Sequence, residues 1–134
     1  MTLTRKTVVR TSAAPAAIGP YSQAIRAGAF VFVSGQIPLD PATGALVEDL
    51  SIESQTRQCL RNLAGILSGA GTTLDRAVKV TIYLADMQSF GQVNRVYAEF
   101  FGDEPPARAT VEVSALPMGV DVEMDCIAIA SDGE

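Results

Sequence analysis

The chain has 134 residues, a formal net charge of −5, 48% hydrophobic residues and no histidine. This length fits one domain, and the ordinary apolar and charged contents argue against disorder, so we predict a single domain over residues 1–134. Without an imidazole the sequence excludes a Ser-His-Asp triad, a Cys-His pair and any metal site that contains histidine. Carboxylates, Arg, Lys, Tyr, Ser, Thr, two cysteines and the backbone remain as candidates for chemistry.

Charge, cysteines and hydropathy restrict the partners and the compartment. The 15 acidic residues outnumber the 10 basic ones, which disfavours nucleic acid as a partner. Cys59 and Cys126 each lie in an apolar periodic segment, which indicates two buried thiols in a reducing compartment and no disulfide or metal site. The uncharged stretch 27–39 is too short to span a bilayer, and no apolar segment follows Arg5 and Lys6 as in a secretory signal. We therefore predict a cytoplasmic protein with no membrane partner.

The first half of the chain predicts short strands followed by a long helix. Strands are expected at 8–9, 24–26 and 30–34, with the last of these central in a sheet. Asp40-Pro-Ala-Thr-Gly44 is typical of a turn. Apolar residues at helical spacing predict a first helix over 52–70. Its water-facing side is expected to comprise Arg57, Gln58, Arg61 and Asn62.

The second half predicts a strand, a helix and two more strands. In the strand over 78–84, alternation puts one set of side chains on the buried face, namely Val78, Val80, Ile82 and Leu84. Ser89 and Gln92 have the spacing of a capping box, and they predict the start of a second helix. Its apolar stripe comprises Phe90, Val93, Tyr97, Phe100 and Phe101. In the last two strands Ala109, Val111 and Val113 alternate with polar residues, as do Val122, Met124, Cys126 and Ala128.

The short connection between the last two strands favours an antiparallel hairpin. If their apolar residues face the helices, Thr110 lies opposite Glu123, and Arg108 becomes a diagonal neighbour of Glu123 on the other face. The order of elements predicts an α+β fold, with two helices on one face of a mixed β-sheet. The open face would combine Arg108, Thr110, Glu112 and Glu123 with Ile127 and Ile129, a mixture that favours burial in an oligomer.

Five residues stand out as candidates for binding or chemistry. Arg108 beside Glu123 fits an anion clamp with a carboxylate that holds a water, although a solvated salt-bridge ladder fits the same spacing. Tyr21 lies in a loop with two breakers, where it either contacts a ligand or packs on the rim of the core. Ser34 either caps a turn or belongs to a site, and Gly35 permits close approach of a backbone or ligand.

Four segments, in the same order as in a known family, carry a resemblance. They are 14–24 (APAAIGPYSQA), 33–41 (VSGQIPLDP), 79–87 (KVTIYLADM) and 106–108 (PAR). Over residues 14–130 the chain resembles the reactive intermediate deaminases, the imine and enamine deaminases also called the YjgF family.

The resemblance implies a chorismate-mutase-like two-layer fold and a homotrimer with three clefts between subunits. It also implies a 2-iminobutanoate/2-iminopropanoate deaminase that needs no cofactor or metal and hydrolyses imines, and enamines such as 2-aminoacrylate, to 2-keto acids and ammonia. Arg108 matches the family's carboxylate-binding arginine, and Glu123 matches its water-positioning carboxylate. Thr110 stands where many members have Cys, and its contacts are expected through the backbone. Further positions that line or support the cleft are Tyr21, Ser34, Gly35, Phe90 and Asn94.

Two other functions stay open at this point. One is a binding module that senses small carboxylates without turnover, and the retention of Glu123 favours the enzyme over it. The other is an RNA-cleaving translation inhibitor, an activity attributed to some members of the family. The missing histidine and the net charge of −5 disfavour RNA.

Overall fold

In the computed structural model, which describes residues 5–130, six strands form one mixed sheet and two helices pack on it. The predicted α+β class is confirmed, and the predicted single domain over 1–134 extends at both ends beyond the described residues. The strands are β1 (Lys6–Val9), β2 (Ala24–Ala27), β3 (Phe30–Gln36), β4 (Ala77–Leu84), β5 (Ala107–Glu112) and β6 (Val122–Ile129). The helices are α1 (Ile52–Gly69) and α2 (Phe90–Ala98), with 3₁₀ turns at Leu74–Arg76, Met87–Ser89 and Pro117–Gly119.

The order of the strands is β1-β2-β3-β6-β4-β5, so the predicted hairpin of the last two strands is wrong. β5 pairs in parallel with β4, because α2 carries the chain back in the crossover that parallel strands require. β6 is antiparallel to both of its neighbours, β3 and β4. This central position removes both edges of β6 from water and buries Val122, Met124, Cys126 and Ala128.

β5 also presents the opposite face from the one that we predicted. Arg108 pairs with Val80, which in turn pairs with Cys126, and both of these partners are buried under the helices. Thr110 pairs in the same way with the buried Ile82. Paired residues share a face of a sheet, so Arg108 and Thr110 lie on the helix-covered face.

The other side of the sheet, which we call the open face, carries Glu123. Glu123 pairs with Tyr83, and Tyr83 pairs with Val111, which is exposed. Arg108 and Glu123 are therefore not diagonal neighbours, because they lie on opposite faces and β4 separates their strands. Alternation correctly grouped the residues of β5, but it does not say which group faces the core. By the same register Glu112 also lies on the helix-covered face and not on the open face as predicted.

The open face is rich in exposed apolar side chains. Ile127 and Ile129 lie on it as predicted, paired with Phe32 and Phe30 of β3. Phe32 is 45% exposed and Phe30 is 43% exposed. A contiguous apolar surface of this kind is typical of an interface.

α1 confirms the predicted first helix, and Ala70 is its C-cap. Its start is capped by the Ser51 hydroxyl, which accepts a hydrogen bond from the Ser54 amide. The prediction that Asn62 faces water is wrong. Asn62 is fully buried and donates hydrogen bonds to the carbonyls of Ile37 (3.2 Å) and Leu39 (3.0 Å). Within residues 5–130 neither helix has the length and apolar character needed to cross a membrane.

The start of β4 differs from the prediction. Val78 is exposed, and Ala77 is buried in its place. The pairing with β6 shifts register between Ala77 and Lys79. An irregularity of this kind reverses the side-chain alternation on one side of it, and the apolar pattern alone does not reveal it.

The predicted capping box of α2 is also wrong. Ser89 makes no side-chain cap hydrogen bond, because a 3₁₀ turn precedes the helix. The carboxylate of Asp86 caps that turn instead and accepts a hydrogen bond from the Gln88 amide. Phe90, at the first position of the helix, is exposed.

Replacement of Asn62 by Ala should destabilise the fold. It removes the Asn62 donor from the Leu39 carbonyl, whereas the Ile37 carbonyl still accepts from the Leu39 amide (2.7 Å), and a buried unsatisfied group costs about 1–3 kcal/mol in the free energy of unfolding. Urea denaturation at one protein concentration measures the change. The control is Arg61→Ala, at an exposed position of the same helix. Equal stability of the two variants would contradict this role for Asn62.

Candidate active site

Four of the predicted site residues line one cavity of about 400 Å³ at the end of β3. We call them the Glu123 half-site, and they are Tyr21, Ser34, Gly35 and Glu123. The remaining wall is largely apolar and includes Pro15, Ile18, Ile37, Leu39 and Pro117. The cavity thus offers one carboxylate among largely apolar side chains.

The loop that carries Tyr21 is fixed by a buried glutamine. The side-chain amide of Gln23 donates hydrogen bonds to the carbonyls of Pro15 (2.8 Å) and Thr11 (3.0 Å), and its oxygen accepts one from the Thr11 amide (2.8 Å). The hydroxyl of Ser34 donates to the Ser22 carbonyl and ties the same loop to β3. Sequence analysis did not single out Gln23, although it lies within the 14–24 segment.

Gly35 is required by the position of Glu123. A Cβ atom added to Gly35 would collide with the Glu123 carboxylate. A side chain on residue 35 is therefore incompatible with the carboxylate where it now lies. Burial raises the pKa of Glu123 above its ordinary value, and the nearby negative charge of Asp125 raises it further.

Arg108 lies in a second cavity of about 390 Å³ under α2. Its guanidinium carbon is 4.8 Å from the ring centroid of Tyr97 and 5.5 Å from that of Phe90, which is within cation–π range. Asn94 lines the same cavity. We call Arg108, Phe90, Asn94 and Tyr97 the Arg108 half-site. In the part of the chain that the structure describes, no carboxylate forms a salt bridge with Arg108, so its donors are available to an anion.

Tyr97 is a residue of this half-site that sequence analysis assigned only to the core. Its hydroxyl is buried and has no hydrogen-bond partner among residues 5–130. Burial raises the pKa of Tyr97 to about 12, so the hydroxyl stays protonated at neutral pH. The helical spacing that predicted its burial carries no information on its contact with Arg108.

The structure divides the predicted site residues between the two half-sites. Tyr21, Ser34 and Gly35 accompany Glu123, whereas Phe90 and Asn94 accompany Arg108. Thr110 lies on the same face of β5 as Arg108 but lines neither cavity. Within one chain, the two charged groups are not brought together.

The cysteines match the prediction of buried thiols. Cys59 and Cys126 are free and buried, and burial raises the pKa of both, that of Cys126 to about 12. Neither thiol is therefore ionised at neutral pH. Among the described residues, no group of three or more Cys, Asp and Glu side chains is arranged to hold a metal ion.

The fold and the half-sites define a class of small α+β proteins in which two helices cover a mixed sheet that bears separate cationic and acidic cavities. Residues 11–130 match the family described as endoribonuclease L-PSP. A RutC family protein of Pyrococcus horikoshii is 54% identical over 92% of this chain and 97% of its own.

Two further proteins are similar to this chain over most of its length. The mouse 2-iminobutanoate/2-iminopropanoate deaminase is 47% identical over 91% of this chain and 90% of its own. The crystal structure of E. coli TdcF with bound serine superposes with a TM-score of 0.87 at 37% identity and covers 93% of this chain and 98% of that one. The chain belongs to the endoribonuclease L-PSP family, also called the YjgF or reactive intermediate deaminase family, which confirms the resemblance of its motifs.

Substitution of Gly35 by Ala should displace the Glu123 carboxylate while the protein still folds. The added methyl group meets only the far end of a flexible side chain, so the carboxylate can rotate away at little cost. A crystal structure of the variant and its unfolding midpoint measure the two effects. The control is Gly91→Ala, because an added Cβ at Gly91 meets nothing within 4 Å. An unmoved carboxylate in Gly35→Ala would contradict the role assigned to Gly35.

Proposed function

We propose that the protein is a deaminase that hydrolyses 2-imino acids, among them 2-iminobutanoate and 2-iminopropanoate, to 2-keto acids and ammonia. The observation that carries this proposal is the pair of complementary half-sites. Arg108 offers a guanidinium fork that no carboxylate among residues 5–130 pairs with, and Glu123 offers a partly buried carboxylate with a raised pKa. Two relatives support the proposal. The mouse protein is named for this activity, and the TdcF structure contains bound serine, an amino acid with a carboxylate.

The proposal requires that two copies of the chain form each site. Arg108 and Glu123 lie on opposite faces of one sheet, so a small substrate reaches both only if they belong to different copies. The apolar open face supplies a surface that a second copy would cover. We propose the homotrimer implied by the family resemblance, with three clefts in which the Arg108 half-site of one copy meets the Glu123 half-site of the next.

The reaction follows from the two charged groups. Arg108 binds the substrate carboxylate in a bidentate pair, and the rings of Tyr97 and Phe90 hold the guanidinium plane. Glu123 orients a water and accepts its proton while the oxygen adds to the carbon of the protonated imine, which forms a tetrahedral carbinolamine. Glu123 then returns the proton to the nitrogen and the C–N bond breaks. As ammonia leaves, the carbinolamine hydroxyl gives its proton to Glu123 and the carbonyl forms. A carboxylate with a raised pKa is a stronger base for the first step.

The other predicted site residues have supporting roles in this proposal. Ser34 and Gly35 shape the wall against which Glu123 lies, and Tyr21 is half exposed at the mouth of the same cavity. Asn94 lies at the rim of the Arg108 cavity, where its amide can bond the substrate. The backbone of Thr110 continues the same edge of the sheet.

Cleavage of RNA, which the description of the family names, has less support in this chain. The net charge of −5 disfavours binding of a phosphate backbone, and without histidine the chain lacks the commonest general base. Binding of small carboxylates without turnover uses the same Arg108 and predicts no dependence on Glu123. A turnover assay with freshly generated 2-iminobutanoate separates this binding function from deamination.

Single substitutions should separate binding from chemistry. Arg108→Ala is expected to abolish saturable binding of a 2-keto acid, and Arg108→Lys should not restore it, because lysine lacks the planar fork. Glu123→Gln should still bind the keto acid but lose about 10²–10⁴-fold in turnover, the usual range for a general base. Calorimetry and a coupled deamination assay measure the two effects.

Matched controls for these variants are Arg61→Ala and Glu53→Gln on α1, which lie outside both half-sites. Both should behave as wild type. Full turnover in Glu123→Gln would remove Glu123 from the chemistry, and near-normal binding in Arg108→Lys would exclude a bidentate clamp.

Mixed oligomers should reveal a site that two copies share. Arg108→Ala and Glu123→Gln chains, inactive alone, are expected to regain activity when they are co-expressed, because about a quarter of the clefts in a random mixture combine two intact half-sites. Light scattering of the wild type should give three times the chain mass of 14.1 kDa. A mixture that stays inactive, or a fully active monomer, would contradict the shared site.

A further inference from the structure

A second carboxylate lies beside Glu123 on the open face and is held by a tyrosine. Asp125 follows Glu123 by two residues on β6, so both side chains project from the same face, while the intervening Met124 is buried. Tyr83 of β4 lies opposite Glu123 in the register, and its hydroxyl donates a hydrogen bond of 2.9 Å to the Asp125 carboxylate. This diagonal contact fixes the position of the Asp125 charge relative to Glu123.

Neither Asp125 nor Tyr83 lines the cavity of the Glu123 half-site, so any effect on a substrate passes through Glu123. The negative charge of Asp125 adds to burial in raising the pKa of Glu123. Burial raises the pKa of Tyr83, and the hydrogen bond to Asp125 and then the charge of Asp125 raise it further. Asp125 thus acts on both titratable groups beside it, in the direction expected of a like charge in a partly dry site.

The other groups around Glu123 affect its pKa less than burial and Asp125 do. β3 presents the uncharged Ser34 and Gly35 to it, and the uncharged Thr81 of β4 pairs with Asp125. The titratable groups on the surrounding elements are Asp121 before β6, Lys79 further along β4, Tyr21 in the loop and Cys59 on α1 under the sheet. In the proposed trimer Arg108 of a second copy joins them.

We propose that Asp125, held by Tyr83, is a positioning residue that sets the pH range in which Glu123 accepts the proton of the attacking water. This inference rests on the proposed function. Glu123 must be ionised in the free enzyme to accept that proton, so the acid limb of kcat/KM reports its titration. The charge of Asp125 opposes ionisation of Glu123 and places this limb at higher pH. In return Glu123 is a stronger base once it is ionised.

The pH dependence of kcat/KM for 2-iminobutanoate tests the proposal. In Asp125→Asn the like charge is gone, so the acid limb should move to lower pH. Asp125→Glu keeps the charge and should keep the limb near its wild-type position. Tyr83→Phe keeps the charge but releases the carboxylate, so a smaller shift in the same direction is expected. The control is Asp75→Asn, which removes an equal charge at an exposed position near the other end of β4.

A titration without substrate separates this inference from the proposed function. Carbon-13 NMR of the glutamate carboxyl groups follows Glu123, whose signal is assigned by its loss in Glu123→Gln. Its midpoint should fall in Asp125→Asn and not in Asp75→Asn. An unmoved midpoint in Asp125→Asn overturns the inference. If Asp125→Asn does not fold, an unmoved midpoint in Tyr83→Phe overturns it instead. Full turnover in Glu123→Gln would overturn the proposed function instead, and the titration would still measure the action of Asp125 on Glu123.

Discussion

Strand β6 lies in the middle of the sheet with every second side chain from Val122 to Ala128 buried, and the position of both half-sites depends on this placement. With β3 and β4 as its neighbours, β6 leaves only the outer edge of β4 for β5. The parallel register then places Arg108 beside Val80 on the helix-covered face, under α2. β6 in contrast presents Glu123 on the open face. Hydrophobic burial, rather than attraction between charges, sets where the two charges lie.

Each charge is held without an opposite charge from the described part of its own chain. Arg108 lies against two aromatic rings, which favour a cation but leave the hydrogen-bonding fork free. Glu123 lies against Gly35 in a partly dry cavity, where its ionised form is disfavoured. A partly buried charge without a counter-charge is costly, and a substrate or a neighbouring copy can relieve that cost. The two half-sites are therefore incomplete in chemically complementary ways.

Assembly and chemistry are linked in this arrangement. The open face carries both Glu123 and the apolar patch around Phe30 and Phe32, so the surface that favours association also holds the acidic half-site. In the proposed trimer, covering this face would remove further water from Glu123. The Tyr83–Asp125 pair lies on the same face, and it would act there in a medium that screens charge less than water does.

The amino-acid sequence by itself determined most of the local elements and the family to which the chain belongs. Periodicity predicted α1, and β-branched and aromatic residues predicted β3. The turn residues of 40–44 predicted the turn that ends at Gly44, whose φ of 74° suits glycine. The family motifs pointed to Arg108 and Glu123. The inferences about local elements succeed because they depend on neighbours in the chain, which the sequence displays directly.

Tertiary structure alone decided which strands pair, which face each strand turns to the helices and which polar groups are buried. Alternation along β5 separates Arg108 from Val111 but cannot say which of them faces the core, since that depends on the register with β4. Asn62 reads as an exposed helix residue until a distant loop brings the carbonyls of Ile37 and Leu39 to it. In each case the deciding contact joins residues far apart in the chain, and local sequence patterns carry no information about such contacts.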